Sequence, residues 1–412
     1  MIEVLKVVAY RRLFTAQILA LLGTGLLTVA LGLLAFDLAG GQAGAVLGTA
    51  LTIKMLAYVF VAPVMAALVE RLPRKAVLVA ADLMRAAIAL ALPFIDQVWQ
   101  IYLLVFLLQS ASATFTPAFQ ALIPVILSKE RDYTRALSLS RLAYDLESLL
   151  SPLIAAMLLT FMTYHNLFVG TMVGFVLSAG IVLTTMLPRI QTVERNGSLL
   201  HRTTLGTRLF LTNPSLRGLM ALNLVVACGT ALVLVNTVVY TLDLFHGSTT
   251  DLAVALACYG AGSMAVALAA PRILEQLPDR TMMVCGGGTL AVGLSAASVI
   301  AWTEHSWPLL LALWAVLGAG TSMINTPSAR LLRRAASDST RSYLFTAQFS
   351  LSHACFIVTY PIAGWVGAGW GQPAAAIVLA ALATLGTVAA LRWWPSGRRP
   401  DPQEISAQQK AQ

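Results

Sequence analysis

The chain has 412 residues, of which 58% are hydrophobic and only 11% are charged, and its mean hydropathy is +0.79. In soluble domains roughly a quarter of all residues are charged, so this composition excludes an ordinary soluble protein. Apolar runs of about 20 residues, each long enough to cross a ~30 Å hydrocarbon core, recur along the whole sequence. Because lipid offers no partners to free backbone groups, the sequence predicts an all-α membrane protein with many spans.

The net charge of +9 is typical of some nucleic-acid-binding proteins, but the placement of the charge predicts a different partner. Lys and Arg gather in alternate connections between the apolar runs, whereas the connections around Gly40, His165, Gly247 and Gly371 carry neither. This asymmetry is typical of membrane proteins whose basic loops stay in the cytoplasm. The lipid bilayer is therefore the expected partner, no nucleic acid is expected, and both termini are predicted to be cytoplasmic.

Twelve transmembrane helices are predicted along the chain. The first six cover residues 13–36, 43–69, 76–94, 99–126, 136–162 and 167–187. A polar, basic linker follows, with a short amphipathic helix predicted at 205–211. The second six cover 219–242, 252–270, 282–302, 307–332, 343–366 and 374–393. We therefore divide the chain into an N-terminal bundle (1–187), a cytoplasmic linker (188–217), a C-terminal bundle (218–394) and a cytoplasmic tail (395–412).

The two predicted bundles repeat one another in sequence. The segment V-E-R-L-P-R-K, which ends at Lys75, is matched by L-E-Q-L-P-D-R, which ends at Arg280. Other residues agree in nearly the same register, namely Asp37 with Asp243, Thr116 with Thr326, and Pro152 with Pro361. Repeats of this kind, related by an axis along the membrane normal, place a substrate site at the interface of the two halves near mid-membrane. The sequence thus predicts two six-helix bundles related by a pseudo-two-fold axis.

With this repeat, the chain resembles the major facilitator superfamily of transporters over essentially its whole length. The stretch A-A-L-V-E-R-L-P-R-K from Ala66 to Lys75 is similar to the family's loop G-x-x-x-D-R-x-G-R-K. Ala66 and Pro73 replace its two glycines and Glu70 replaces its Asp. In the family, this loop latches the cytoplasmic side of the N-terminal half. The resemblance implies the same role for the matching charged residues, which are Glu70, Arg71, Arg74 and Lys75.

Two further stretches narrow the resemblance. S-P-L-I-A-A, beginning at Ser151, is similar to the G-P-x-x-G-G of the family's antiporters. F-T-P-A, beginning at Phe115, and D-L-M-R, from Asp82 to Arg85, resemble the branch of bacterial drug–proton antiporters and enterobactin-type exporters. Asp82 and Arg85 are grouped with the latch, although the outer position of their helix in the family favours a structural role. The branch implies a bacterial inner (plasma) membrane location and, we expect, a monomer.

Charges inside spans identify candidate site residues, since each costs about 2.5–3.5 kcal/mol at mid-helix. Lys54 lies near the middle of the second span and is predicted to pair with a carboxylate or an anionic substrate, or else to have a structural partner. In the fifth span, Arg141 and Asp145 share a face and are expected to pair. Glu147 shares a polar stripe with Ser140, Tyr144 and Ser151. Burial disfavours a charged carboxyl, so Glu147 is a candidate proton carrier, or alternatively the charge balance for Lys54.

Neutral polar residues complete the predicted site. His353 is the intramembrane histidine and is a candidate for protonation near neutral pH, or else a satisfied core histidine. Tyr58, Asn223 and Asn325 are candidate pocket-lining residues, although such side chains often only bridge helices. The candidate residues for substrate binding or proton coupling are therefore Lys54, Glu147, Asp145, His353, Tyr58, Asn223 and Asn325.

The sequence contains no phosphate-binding G-x-x-x-x-G-K-S/T and no cluster of His, Asp or Glu at metal-ligand spacing. We therefore expect no ATP-driven pump, no enzyme activity, no metal and no cofactor. The predicted function is secondary active transport, with proton-coupled efflux of small amphipathic compounds by alternating access. The alternatives are export of a siderophore, a metal complex or a lysolipid, and, in another class, a membrane sensor or polytopic enzyme.

Overall fold

The computed structural model describes residues 2–61, 65, 72–120, 122–127, 129–186, 199–303, 306–335 and 341–394. Within these ranges the chain forms twelve long helices and no strand. The N-terminal half contains α1 Val8–Ala39, α2 Ala43–Leu56, α3 Arg74–Ala91, α4 Val98–Gln120, α5 Glu130–Leu159 and α6 His165–Thr184. The C-terminal half contains α7 Pro214–Ala231, α8 Thr249–Gln276, α9 Asp279–Trp302, α10 Trp307–Ala335, α11 Arg341–Pro361 and α12 Gln372–Trp393.

The predicted all-α membrane architecture is confirmed. Length and composition of the helices alone identify fewer spans than the helix bounds of the structure do. Ten described stretches are long and apolar enough to cross a membrane. The first of them, Val8–Val61, contains both α1 and α2, which part at the turn Gly40–Gln42. Only the segment Leu150–Leu159 of α5 is markedly apolar, because the earlier part of this helix carries charged residues. Dividing the first stretch into α1 and α2 and adding α5 to the ten stretches gives twelve spans.

Several helices are extended by shorter turns. Widened π-helical turns continue α2 at Ala57–Val61, α7 at Leu232–Asn236 and Val239–Leu244, and α11 at Ile362–Val366. Such turns are frequent at functional sites because they shift the helix face by a residue. Between the halves, a helix at Leu199–Thr212 (the linker helix) packs on α11 and α7. It is longer than the predicted 205–211.

The helix contacts of the two halves repeat. In the N-terminal half α1 packs on α5 and α6, α3 packs on α4 and α6, and α2 packs on α4. In the C-terminal half α7 packs on α11 and α12, α9 packs on α10 and α12, and α8 packs on α10. The contacts between halves obey the same symmetry, since α2 meets α11 and α5 meets α8. The predicted pseudo-two-fold arrangement of six plus six helices is therefore confirmed.

One side-chain contact is repeated as well. Lys75 Nζ, at the start of α3, donates to the carbonyl oxygen of Thr185 after α6 (3.1 Å). Its counterpart in the repeat, Arg280 Nε on α9, donates to the carbonyl oxygen of Trp394 after α12 (2.8 Å). A cation near the C-terminus of a helix satisfies free carbonyls and opposes the negative end of the helix dipole. The basic end of each repeat thus anchors the last helix of its half.

The successive helices run in alternate directions, so the connections lie on two faces. We call the face of Lys75, Arg217 and Arg280 the basic face, and the face of Gly40 and Gly371 the opposite face. The side-chain hydrogen bonds that join described residues of the two halves both lie toward the opposite face. They run from Gln42 Nε2 to the carbonyl oxygen of Ala368 (3.3 Å) and from Trp365 Nε1 to Thr49 Oγ1 (3.1 Å).

The backbones of α2 and α11 approach closely at this end. A Cβ atom on Gly48 would lie 2.6 Å from the carbonyl oxygen of Tyr360 and 3.0 Å from Cα of Gly364. Only a residue without a side chain fits such a separation. Among the described residues, the side-chain hydrogen bonds between the halves and this close backbone approach lie toward the opposite face.

Candidate functional site

Glu147 lies where α5 comes closest to α1. A Cβ atom on Gly25 of α1 would lie 2.8 Å from Glu147 Oε1 and would overlap Ser151. The hydroxyl of Ser151 is buried and has no hydrogen-bond partner among the described residues. Because Gly25 has no side chain, there is space for the carboxyl of Glu147. This space lies inside the N-terminal half, one helix turn from Ser151.

Lys54 of α2 interacts electrostatically with two of the other predicted residues. It lies close enough to Glu147 on α5 and to His353 on α11 for charge–charge interaction, although no salt bridge joins Lys54 and Glu147 in the described part of the chain. Lys54 is half-buried, and an unpaired cation at such a depth is costly. The structure thus brings three predicted site residues together, two from the N-terminal half and one from the C-terminal half.

An aromatic cluster lies beside these charges, where α2 meets α11. The imidazole of His353 lies on the ring of Phe349, with centroids 4.0 Å apart, and the ring of Tyr58 is 5.9 Å from the imidazole. His353 Nδ1 lies 2.7 Å from the carbonyl oxygen of Phe349. Because a carbonyl only accepts hydrogen bonds, Nδ1 carries the proton, and Nε2 remains the acceptor of the neutral ring. Phe349 is 44% exposed, so the cluster presents an aromatic face to the space between the halves.

The predicted pocket residue Asn223 has a protein partner that the sequence did not indicate. Its amide nitrogen donates to Gln348 Oε1, and Gln348 Nε2 donates to Asn223 Oδ1, both at 3.0 Å. This pair joins α7 to α11 inside the C-terminal half. Asn325 lies half-buried on α10. Asn223 is thus a bridge between helices.

Asp82 and Arg85 form a buried ion pair in the N-terminal half. Arg85 donates to Asp82 Oδ1, and Ser178 Oγ of α6 donates to Asp82 Oδ2 (2.7 Å). The guanidinium lies between two aromatic rings, 4.4 Å from the centroid of Phe115 and 4.5 Å from that of Phe175. These contacts place the ion pair in the interior of the bundle, where Asp82 is 0% exposed. Through them, the pair joins α3 to α4 and α6.

A cavity of about 380 Å³ lies at the basic face. The linker helix, α7, α10 and α11 line it with apolar and neutral side chains, including Leu209, Leu216 and Leu344. None of the described residues that line it is titratable, and neither Lys54 nor Glu147 is one of them. We therefore place the candidate site between the halves. Among the described residues, no group of three or more His, Cys, Asp or Glu side chains is positioned to hold a metal ion.

Comparison with known proteins agrees with this geometry. A family model described as Major Facilitator Superfamily matches residues 13–274 and 219–412. The chain belongs to the Major Facilitator Superfamily. Membership of this superfamily is in keeping with six-plus-six helices and a site at the interface of the halves.

Within the superfamily, the chain has relatives named for export. It is 26% identical over 164 residues to macrolide efflux protein A of Enterococcus faecalis, a match of 36% of this chain and 50% of that protein. It is also 26% identical over 160 residues to macrolide efflux protein A of Streptococcus pyogenes, covering 37% of this chain and 39% of that protein. The chain therefore spans half or less of the length of these relatives.

Solved transporters share the fold over nearly the whole chain. The nucleoside transporter NupG matches with a TM-score of 0.69 at 14% identity, covering 94% of this chain and 100% of that one. A bacterial homologue of the lysosomal transporter Spinster, in an inward-facing and unoccupied conformation, matches with a TM-score of 0.71 at 11% identity, covering 95% and 98%. A D-xylose–proton symporter matches with a TM-score of 0.67 at 11% identity, covering 94% and 97%. At such identities, these likenesses show the superfamily fold alone.

The predicted latch is only partly visible. Glu70 and Arg71 lie outside the described residues, and Lys75 caps α6 as described above. Arg74 begins α3 and is half-buried. Asp145 lies in α5 with its side chain outside the described part. The latch and the pairing of Asp145 remain predictions, while Phe349 of the aromatic cluster and Gln348 are site residues that the sequence analysis missed.

Proposed function

We propose that this superfamily member is a proton-coupled exporter of small amphipathic compounds. The observation that carries the proposal is the placement of Lys54 within electrostatic range of Glu147, beside a partly exposed aromatic cluster where α2 meets α11. Aromatic faces bind flat apolar bodies, and a nearby titratable pair links binding to protonation. The named macrolide efflux relatives support export as the direction of transport.

Alternating access follows from where the halves touch. Tight contacts between α2 and α11 close the opposite face, while Tyr144 and Phe349, deeper along α5 and α11, are 39% and 44% exposed. We place the basic face in the cytoplasm because Lys and Arg concentrate there. We infer from these exposures that the site opens toward the basic face, which is where an exporter takes up its cargo.

Coupling depends on the balance of charge between Lys54 and Glu147. While both are ionised, the pair is neutral and tolerates burial. Proton uptake by Glu147 leaves Lys54 without its counter-charge, and an uncompensated buried cation is costly. Protonation therefore changes which arrangement of the two halves has the lower free energy, and this is the requirement for a proton gradient to drive transport.

The test is transport by purified protein in proteoliposomes with an imposed pH gradient. Glu147→Gln keeps the shape of the side chain and removes its titration, so we expect gradient-driven efflux of ethidium and of a macrolide to be lost, while cargo counterflow without a gradient persists. Glu275→Gln, at an exposed position near the end of α8, is the matched control and should behave as wild type. Unchanged gradient-driven efflux in Glu147→Gln would refute the proposal. Transport of a siderophore or lysolipid, but of neither probe, would refute the proposed class of cargo and would not contradict the proposed proton coupling.

A further inference from the structure

We propose that Glu147 exchanges protons with the basic face by a separate path, through a small polar cavity inside the N-terminal half. This inference rests on the proposed proton coupling and adds to it the route that the proton takes. The cavity, which we call the alcove, lies between α1, α4 and α5, and its volume is about 40 Å³. Its polar lining comes from Gln17, Thr116, Ser140 and Tyr144.

The alcove has the size and the chemistry to hold water. A water occupies about 30 Å³ of the liquid and needs two to four polar partners to be stable in a protein interior. Ser140 Oγ donates to Gln17 Oε1 (3.1 Å), so the oxygen of this amide is satisfied. Gln17 is only 6% exposed, and the structure shows no bond from its amide nitrogen to a described residue. An amide N–H group that lines a cavity and is bonded to no described residue offers a hydrogen-bond donor to an ordered water in that cavity.

A row of polar residues on one face of α5 connects the alcove to the carboxyl of Glu147. Ser140, Tyr144, Glu147 and Ser151 follow one another at helical spacing on one face. The first two line the alcove, and the next residue of the stripe is Glu147 itself. Beyond it, the buried and unpartnered hydroxyl of Ser151 adjoins the same gap over Gly25. Polar groups therefore run without interruption along α5 from the alcove to Glu147.

The position of the alcove suits a proton route to the basic face. Ser140 lies about two helix turns closer to the basic face than Glu147, since α5 begins there at Glu130 and rises 1.5 Å per residue. All the lining residues belong to the N-terminal half, so movement of one half against the other leaves the alcove intact. A cargo that fills the space between the halves excludes water from it, whereas water in the alcove stays beside Glu147.

The described residues at the matching positions of the C-terminal half are bonded differently. Asn223 stands at the repeat position of Gln17, and both ends of its amide are bonded to Gln348. Thr326 stands at the repeat position of Thr116, and its hydroxyl lies 3.1 Å from that of Ser322. The same scaffold therefore forms a closed amide pair in one half and an incompletely bonded, water-sized cavity in the other.

The test replaces the polar lining with apolar groups of similar shape. In Gln17→Met/Thr116→Val, proton uptake into proteoliposomes under an imposed pH gradient should slow about tenfold, because the relay of hydrogen bonds to Glu147 is broken. Equilibrium binding of ethidium should stay at the wild-type value, since the space between the halves is untouched. Thr326→Val is the matched control and should leave both quantities unchanged. If the double variant cannot be purified folded, Thr116→Val alone carries the test, with slower uptake again expected.

The outcomes separate the path from the proposed function. If wild type takes up protons, Glu147→Gln does not, and the alcove variant does so at the wild-type rate, the path is refuted and the coupling stands. If wild type and Glu147→Gln do not differ, the coupling itself is refuted. Slowing in Thr326→Val equal to that in Thr116→Val would also refute the path, because it would show a general effect of removing a helix hydroxyl.

Discussion

In the interior of the N-terminal half, Asp82 and Arg85 form a buried ion pair between α3 and its neighbours. At the matching positions of the C-terminal half stand Gly287 and Leu290. A Cβ atom on Gly287 would lie 2.7 Å from Thr387 Oγ1 of α12, and Leu290 is fully buried. The same helix contacts are thus formed with charges in one half and with small or apolar groups in the other. The fold does not require the charges.

The same difference occurs at the site. In the register of the repeat, Lys54 corresponds to Tyr259 and Glu147 corresponds to Phe356. The hydroxyl of Tyr259 is bonded to Thr321 and Thr230 at 3.1 and 3.2 Å, so this position is neutral and satisfied. Since each intramembrane charge costs about 2.5–3.5 kcal/mol, charges that one half lacks are retained in the other for a function. We assign the proton chemistry to the N-terminal half and a neutral supporting role to the C-terminal half.

The largest expected effect comes from breaking the buried ion pair. Asp82→Ala leaves the guanidinium of Arg85 buried without a counter-charge, and we expect it to lower the free energy of unfolding by about 3–5 kcal/mol. Asp82→Ala/Arg85→Leu, which imitates the C-terminal half, should lose much less. Denaturation of the detergent-solubilised variants measures both. Equal or additive losses in the single and double variants would contradict the comparison, since they would show that the fold needs the charges.

A smaller effect is expected from the amide pair of the C-terminal half. Asn223→Leu leaves the amide of Gln348 without its partner and should cost about 1–3 kcal/mol of stability. Asn223→Leu/Gln348→Leu should recover part of this loss. Neither variant should alter the dependence of transport on the pH gradient, measured as initial rates in proteoliposomes. A shifted pH dependence in these variants would assign proton chemistry to the half that we call neutral.

The contact between the halves gives a third prediction. Gly48→Ala places a Cβ atom against the carbonyl oxygen of Tyr360 and should destabilise closure of the opposite face by about 1–3 kcal/mol. Labelling of cysteines introduced near Gln42 and Ala368 should rise accordingly. The control is Gly180→Ala, where nothing lies within 4 Å of the added Cβ atom. Equal labelling in the two variants would show that this contact does not hold the face closed.

The smallest effects should be alike in the two halves. Lys75→Ala and Arg280→Ala each remove a cation from the end of the last helix of a bundle and should each cost about 0.3–1 kcal/mol. Thermal denaturation of both variants checks this. A loss in Lys75→Ala several times that in Arg280→Ala would indicate that Lys75 has a further role, as the superfamily latch implies.

Sequence patterns predicted the features that depend on periodicity and composition. Apolar runs located the spans, and the recurrence of L-P before Arg74 and Asp279 revealed the duplication that the helix contacts then confirmed. The cost of burying charge drew attention to Lys54 and Glu147, which the structure brings within electrostatic range. The spans could be predicted because burial in lipid restricts which residues are tolerated there. The roles of Lys54 and Glu147 stay predictions.

Features that depend on contacts between distant helices were not predictable. The pairing of Asn223 with Gln348 joins α11 to α7, and the ring contacts of Tyr58 with Phe349 and His353 join α11 to α2. No spacing in the sequence records which faces of these helices meet. The π-helical turn that contains Tyr58 also shifts its face from the one that a regular helix would predict.

The most direct test of this division of labour is proton release on cargo binding by the purified protein in weakly buffered detergent solution. His353 is the titratable residue of the C-terminal half that lies at the site, so Glu147→Gln and His353→Gln compare the two halves. The account predicts that ethidium binding releases protons from wild type and His353→Gln but not from Glu147→Gln. Release retained in Glu147→Gln and lost in His353→Gln would contradict it.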